Sequence, residues 1–168
     1  LTTIMNNTSE ATQLKSVITS AELLHHWQGH RNLTRRVIEA FPEKEFFEFS
    51  IRGMRTAAGL IQELISIAGP GMRQIATGEN APQDHTPDLR NSKAHVLKLW
   101  DEGTEQINHY WAMLTAERFH EEIVAFGMYP GSVWSTIMYF HDNEIHHRAQ
   151  VYVYLRALGI EPPFFYER

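Results

Sequence analysis

Apolar residues recur along this chain at three- and four-residue intervals over long stretches, and the breaks between those stretches are short. Leu23, Leu24, Trp27, Leu33, Val37, Ile38 and Phe41 follow the first such pattern, which marks one face of an α-helix. Ser20 precedes it as an N-cap with Glu22 in the first turn, and Pro42 closes it. A connector over 43–54 carries Phe46, Phe47 and Phe49. A second helix is predicted from Thr56, on the stripe Ala57, Leu60, Ile61, Leu64, Ile65 and Ala68. Gly69-Pro70-Gly71 is expected to interrupt or kink it before it ends near Gly78. Residues 79–89, with Pro82 and Pro87, read as a loop. The third helix starts at about Ser92, with Val96, Leu99, Trp100, Ile107, Trp111 and Leu114 on one side. Residues 115–130 are mixed, with a short extended piece at 121–126. The fourth helix is predicted over 132–158, from the N-cap Ser132 to the stop at Gly159, roughly 40 Å at ~1.5 Å per residue.

Four long amphipathic segments without a convincing strand predict an all-α four-helix bundle. The polar residues 1–19 are expected to be a loosely ordered N-terminal segment and 20–168 a single domain, as a 168-residue chain suits. No stretch has the ~20 apolar residues needed to span a bilayer, and residues 1–20 lack the apolar centre of a signal peptide. The expected compartment is the cytoplasm. A net charge of −5 with scattered basic residues argues against nucleic-acid or membrane-surface partners. The chain has ten histidines and no cysteine, which rules out disulfides, thiolate metal sites and a cysteine nucleophile.

The candidate chemistry lies in the fourth helix, at His141-Asp142-Asn143-Glu144-Ile145-His146-His147-Arg148. Its apolar seam runs Val133, Ile137, Phe140, Glu144, His147, Val151, Leu155 and Leu158, so two polar residues interrupt it. A buried carboxylate or imidazole is costly without a partner. A metal, a salt bridge or a hydrogen bond would each satisfy it, the simplest case being a core histidine beside an ion pair. Asn143 and His147 stand four apart on one face. His146 points about 100° away from His147 around the helix. Glu63, at the edge of the second helix's stripe, faces His147 if the two helices meet, and is otherwise a solvated carboxylate. Arg148 is placed to pair with Glu144 four residues earlier, the favoured reading, or to bind an anionic cosubstrate. His25, His30, His95, His109 and His120 are expected at the surface. Trp100, Trp111, Trp134 and Tyr139 are read as packing residues. No phosphate loop, G-x-S-x-G elbow or H-E-x-x-H motif is present.

The segment Glu144-Ile145-His146-His147-Arg148-Ala149-Gln150, with Val151, Tyr152, Leu155 and the exit Leu158-Gly159-Ile160-Glu161-Pro162-Pro163, resembles the end of DinB-family proteins, the DNA-damage-inducible, metal-binding four-helix bundles. Trp27 to Phe41, Pro42-Glu43 and Met54-Arg55-Thr56-Ala57 also resemble that family's layout, so the likeness spans about residues 20–166. The resemblance implies three histidine ligands for a divalent metal, one on the second helix and two as H-x-x-x-H on the fourth. His147 matches the last of these. Asn143 stands where the family has the histidine four residues earlier, and Glu63 stands at the second-helix position. Ala149 replaces a glycine. The implied metal set here is therefore Glu63, Asn143 and His147, for zinc, nickel or iron, an oxygen-richer set than three imidazoles.

Two functions follow from the resemblance. One is a thiol-dependent transferase, in which bound metal activates a low-molecular-weight thiol toward a small electrophile. With no cysteine in the chain, that thiol comes from a cosubstrate. The other is a non-catalytic bundle in which Glu63 and His147 interact directly and the protein serves as a binding or dimeric scaffold. The resemblance also implies a homodimer; the Phe46–Phe49 connector and the Phe164-Phe165-Tyr166 tail either offer it apolar surface or cap the bundle.

Overall fold

Each long helix starts where a hydroxyl side chain meets exposed backbone N–H groups. In the computed structural model, which describes residues 16–168, α1 (Ser20–Ala40) is capped by Thr19 rather than Ser20. Thr19 and Glu22 form a reciprocal capping box. Thr56 caps α3 (Ala57–Thr77), Ser92 caps α4 (Lys93–Trp111) and Ser132 caps α5 (Val133–Ala157). The Phe-rich connector contains a short helix, α2 (Glu43–Glu48), which buries Phe46.

These elements build a four-helix bundle of α1, α3, α4 and α5. Neighbouring pairs are α1–α4, α4–α3, α3–α5 and α5–α1, so α1 lies diagonal to α3, and α4 to α5. No helix among the described residues is long and apolar enough to cross a membrane.

Two departures from the sequence reading shape the bundle. Helix α3 runs unbroken through Pro70. The neighbouring glycines are there for close packing. A Cβ at position 69 would sit 3.3 Å from the Gly103 backbone of α4, and one at position 71 would overlap the Phe140 ring of α5. Residues 115–132 hold more than one extended piece. A 3-10 turn (Glu117–His120) leads into a hairpin of β1 (Glu122–Ala125) and β2 (Tyr129–Ser132), paired Glu122 with Ser132 and Ala125 with Tyr129. Its turn places Phe126 and Gly127 at positive φ, rare for Phe. Gln74 of α3 pins the hairpin by accepting from the Phe126 N–H at 3.1 Å, and holds the following loop by donating to the Ala81 carbonyl at 2.9 Å.

The core falls into two apolar clusters. One gathers around Phe41, Phe46, Leu60, Trp100 and Tyr154, the other around Trp27, Met72, Trp111, Ile137 and Phe140. Between them lies a polar layer at mid-bundle. It follows from sequence position: Arg31 and Thr34 separate Trp27 from Val37 on α1, and Glu144, His147 and Arg148 separate Phe140 from Val151 on α5.

Candidate functional site

The layer has two sides. On the α3 side, the α3–α5 contact brings Glu63 and His147 together, with Glu63 Oε1 at 3.1 Å from His147 Nε2. Arg55, just before the α3 N-cap, places its guanidinium 2.6 Å from Glu63 Oε2. Its backbone is tethered by the Tyr154 hydroxyl, which donates to the Arg55 carbonyl at 2.6 Å. The other ring nitrogen, His147 Nδ1, is 2.8 Å from the Gln150 side-chain amide. A neutral ring satisfies both contacts by donating Nε2–H to Glu63 while the Gln150 NH2 turns to donate to Nδ1. An imidazolium satisfies both with the amide oxygen facing it. His147 is buried and Glu63 is 25% exposed. Burial acts to raise the Glu63 pKa, but the hydrogen bonds from Arg55 and His147 and their charges outweigh it and leave the carboxyl below its usual range.

Glu63 stands in the wall of a cleft of about 600 Å³ between α3, α5 and the hairpin, a size typical of small-molecule sites. Ile67, Ala125, Phe126 and Phe140 supply apolar wall, and Arg55, Gln62, Ser66 and Gln83 supply polar wall. Tyr129 and Tyr139 also line it, each about half exposed. Burial and the nearby Glu63 charge raise the Tyr139 pKa, so its phenol keeps its proton.

The fit of a divalent metal can be judged from the donors. Glu63 Oε1 and His147 Nε2 are spaced much as two ligands of one ion would be, since ligand bonds of about 2.0–2.2 Å place neighbouring donors roughly 3 Å apart. Asn143 lies one turn earlier on α5, buried, with its Nδ2 lacking a hydrogen-bond partner. Among the described residues no group of three His, Cys, Asp or Glu side chains is arranged to hold a metal ion. The Arg55 guanidinium already neutralises Glu63 and would repel a divalent cation beside it. The set thus fits a resident zinc, nickel or iron poorly.

The α1 side of the layer is a buried network that sequence reasoning found only in part. The expected Arg148–Glu144 pair is present at 3.8 Å. Glu144, 2% exposed, also accepts from Thr34 Oγ1 at 2.6 Å and Trp27 Nε1 at 3.3 Å, and lies 3.9 Å from Arg31. Arg31 stacks on Trp100 at 3.4 Å and donates to the Trp100 carbonyl and Thr104. Burial lowers its pKa to about 10 against the opposing pull of Glu144 and Asp101.

His30, expected at the surface, is buried. It lies on the inner face of α1, three residues after Trp27, and the i, i+3 relation to that core residue was the available signal. Arg148 donates to its Nδ1 at 2.9 Å. Its Nε2 lies 3.0 Å from His26 Nε2 and 3.2 Å from the Arg168 guanidinium. Burial, with the charges of Arg148 and Arg168, holds the His30 pKa at about 3. His141, tilted against Trp27 at 4.5 Å and buried, is lowered to about 4 by burial and by His26. Trp100 and Trp111 pack in the core as expected, while Trp134 and Tyr139 stand exposed.

The fold agrees with that of known proteins. The family model described as "DinB family" matches residues 5–168. The chain belongs to the DinB family. This DinB protein is 24% identical over 153 residues to the uncharacterised protein YjoA of Bacillus subtilis, covering 89% of its own length and 97% of YjoA. The crystal structure of that DinB-like protein superposes with a TM-score of 0.68 at 21% identity, over 87% of this chain and 99% of the other. A DinB-like protein from Bacillus cereus gives 0.69 at 15% identity, over 87% and 97%. A mycothiol-dependent maleylpyruvate isomerase gives 0.62 at 16% identity, over 80% of this DinB chain and 61% of the isomerase.

Proposed function

We propose that this DinB-family protein binds a small molecule in the cleft beside Glu63, with the Arg55–Glu63–His147 chain replacing the metal centre that the family resemblance implies. The observation that carries the reading is the ion pair itself. Both carboxylate oxygens of Glu63 already have partners, one in Arg55 and one in His147, and the chain stands at the wall of a cleft large enough for a ligand. Such an arrangement offers a bound molecule a carboxylate, a guanidinium and, behind them, an imidazole hydrogen-bonded to Glu63.

A second reading is a metal-dependent, thiol-using transferase holding its ion on Glu63, Asn143 and His147. It is favoured by the 3.1 Å donor spacing and by the fold shared with a mycothiol-dependent isomerase. Elemental analysis of the protein purified without a histidine tag separates the two. The first reading expects the same trace metal in the wild type and in His147→Ala. Near-stoichiometric zinc, nickel or iron in the wild type, lost in His147→Ala, would replace it with the second.

A further inference from the structure

The charges on the cleft wall cancel each other, and this restricts what the cleft can hold. Arg55 and Glu63 are in contact at 2.6 Å. The other polar side chains are uncharged and partly occupied. Gln62 donates to the Pro87 carbonyl at 2.8 Å, Gln83 donates to Ser66 Oγ at 2.8 Å, and Ser66 Oγ donates to the Glu63 carbonyl at 2.7 Å. Ser135 and Thr136 both donate to the Ser132 carbonyl. His85 reaches the rim from an exposed loop position. The remaining wall is the aromatic and aliphatic surface of Ile67, Phe126, Phe140, Tyr129 and Tyr139.

We infer that the cleft selects an uncharged, flat, ring-bearing small molecule with hydrogen-bonding groups, and that the Arg55–Glu63 pair is what rejects charged analogues. This rests on the reading of the cleft as a small-molecule site. An anionic ligand would have to take Arg55 from Glu63 and leave that carboxylate beside it. A cationic ligand would have to take Glu63 from Arg55. Either exchange seats the ligand's charge beside the like charge whose partner it has taken, in a half-enclosed site. A neutral ring with an amide or hydroxyl stacks on the aromatic wall and hydrogen-bonds to the pair as it stands.

Three probes of nearly identical shape test the charge rule: benzamide, benzoate and benzamidine. Each is titrated into the 15N-labelled protein at pH 8, above the ordinary imidazole range, while the backbone amides of Glu63, Ser66 and Phe126 are followed. Benzamide is expected to shift these amides with a Kd roughly tenfold below those of both charged probes, a factor set by that like-charge repulsion. In Glu63→Gln the preference is expected to turn to benzoate, and in Arg55→Gln to benzamidine. Circular dichroism confirms that both variants are folded. Tightest binding of a charged probe to the wild type, or an unchanged order in the two variants, overturns the charge rule and leaves the binding site standing. If no probe shifts these amides at its solubility limit, the small-molecule reading falls and the charge rule with it.

Discussion

Helix α5 carries two polar clusters from one stretch of sequence, and they have opposite characters. Toward α1, Glu144 is sealed among Trp27, Thr34, Arg31 and Arg148. Toward α3, His147 meets a carboxylate that stays 25% exposed and opens on a cleft. Both clusters contain a carboxylate and a guanidinium, so residue type does not distinguish them. Water access does. In the closed cluster every charge depends on its protein partners, and removing one leaves the others stranded. In the open cluster solvent or a ligand can take the place of a lost partner. The first is suited to holding α1 and α5 in register, the second to exchanging partners.

The largest effect that tests this contrast is removal of Glu144. Glu144→Ala leaves Arg31 and Arg148 buried without their carboxylate, and a loss of about 3–5 kcal/mol is expected in urea unfolding. The triple replacement Arg31→Met, Glu144→Leu, Arg148→Met removes all three charges together and is expected to destabilise less than the single change. If the triple variant is the less stable of the two, the cluster acts through individual contacts and not as a charge-balanced unit.

A smaller effect comes from protons on the same sealed side. His141 titrates at about 4 in the folded protein because burial, with His26, disfavours its charge. An unfolded histidine titrates near 6.5. Below pH 6.5 the unfolded chain therefore binds the extra proton, and stability falls as pH drops toward the folded value. His30, at about 3, acts in the same direction. Between pH 7 and 5 few carboxylates titrate, so histidines dominate the slope. His141→Phe keeps a ring against Trp27 and removes the titration. It is expected to reduce the stability lost over that window by roughly 1–2 kcal/mol. An unchanged slope would place the acid sensitivity in groups other than His141.

How much of this was legible in the sequence depends on the range of the physics involved. Helix starts were readable because a cap is local: Thr56, Ser92 and Ser132 each bond a backbone N–H three residues on. Gly69-Pro70-Gly71 reads as an interruption or a kink because the local cost of proline is real; the helix continues through it, and the close approach of α4 and α5 at Gly69 and Gly71 is a tertiary fact. The second strand was missed because Tyr129-Pro130-Gly131-Ser132 has little strand propensity and is held by pairing with β1. Glu63 and His147 were matched through the family layout, and the structure places them in contact. Arg55 was outside the candidate site because it precedes the helix and reaches Glu63 only once α3 forms. Arg31 and Thr34 had no signal beyond two polar positions between apolar ones. Their partner Glu144 is more than a hundred residues away.

The smallest expected effect is the sharpest contrast with Glu144. Glu63→Gln keeps the side chain's shape, and its amide can still hydrogen-bond His147 Nε2. Arg55, 51% exposed, returns to water instead of being stranded. Exposed ion pairs contribute about 0–1 kcal/mol, so the urea-unfolding free energy should change by no more than about 1 kcal/mol. A loss near that of Glu144→Ala would mean that the α3 side also holds the bundle together, and the open site would then be a second structural cluster that happens to border a cleft. A small loss leaves Glu63 dispensable for the fold. The bundle would then have no structural need for a half-exposed carboxylate at the seam between α3 and α5, and its reason for being there would lie in what enters the cleft.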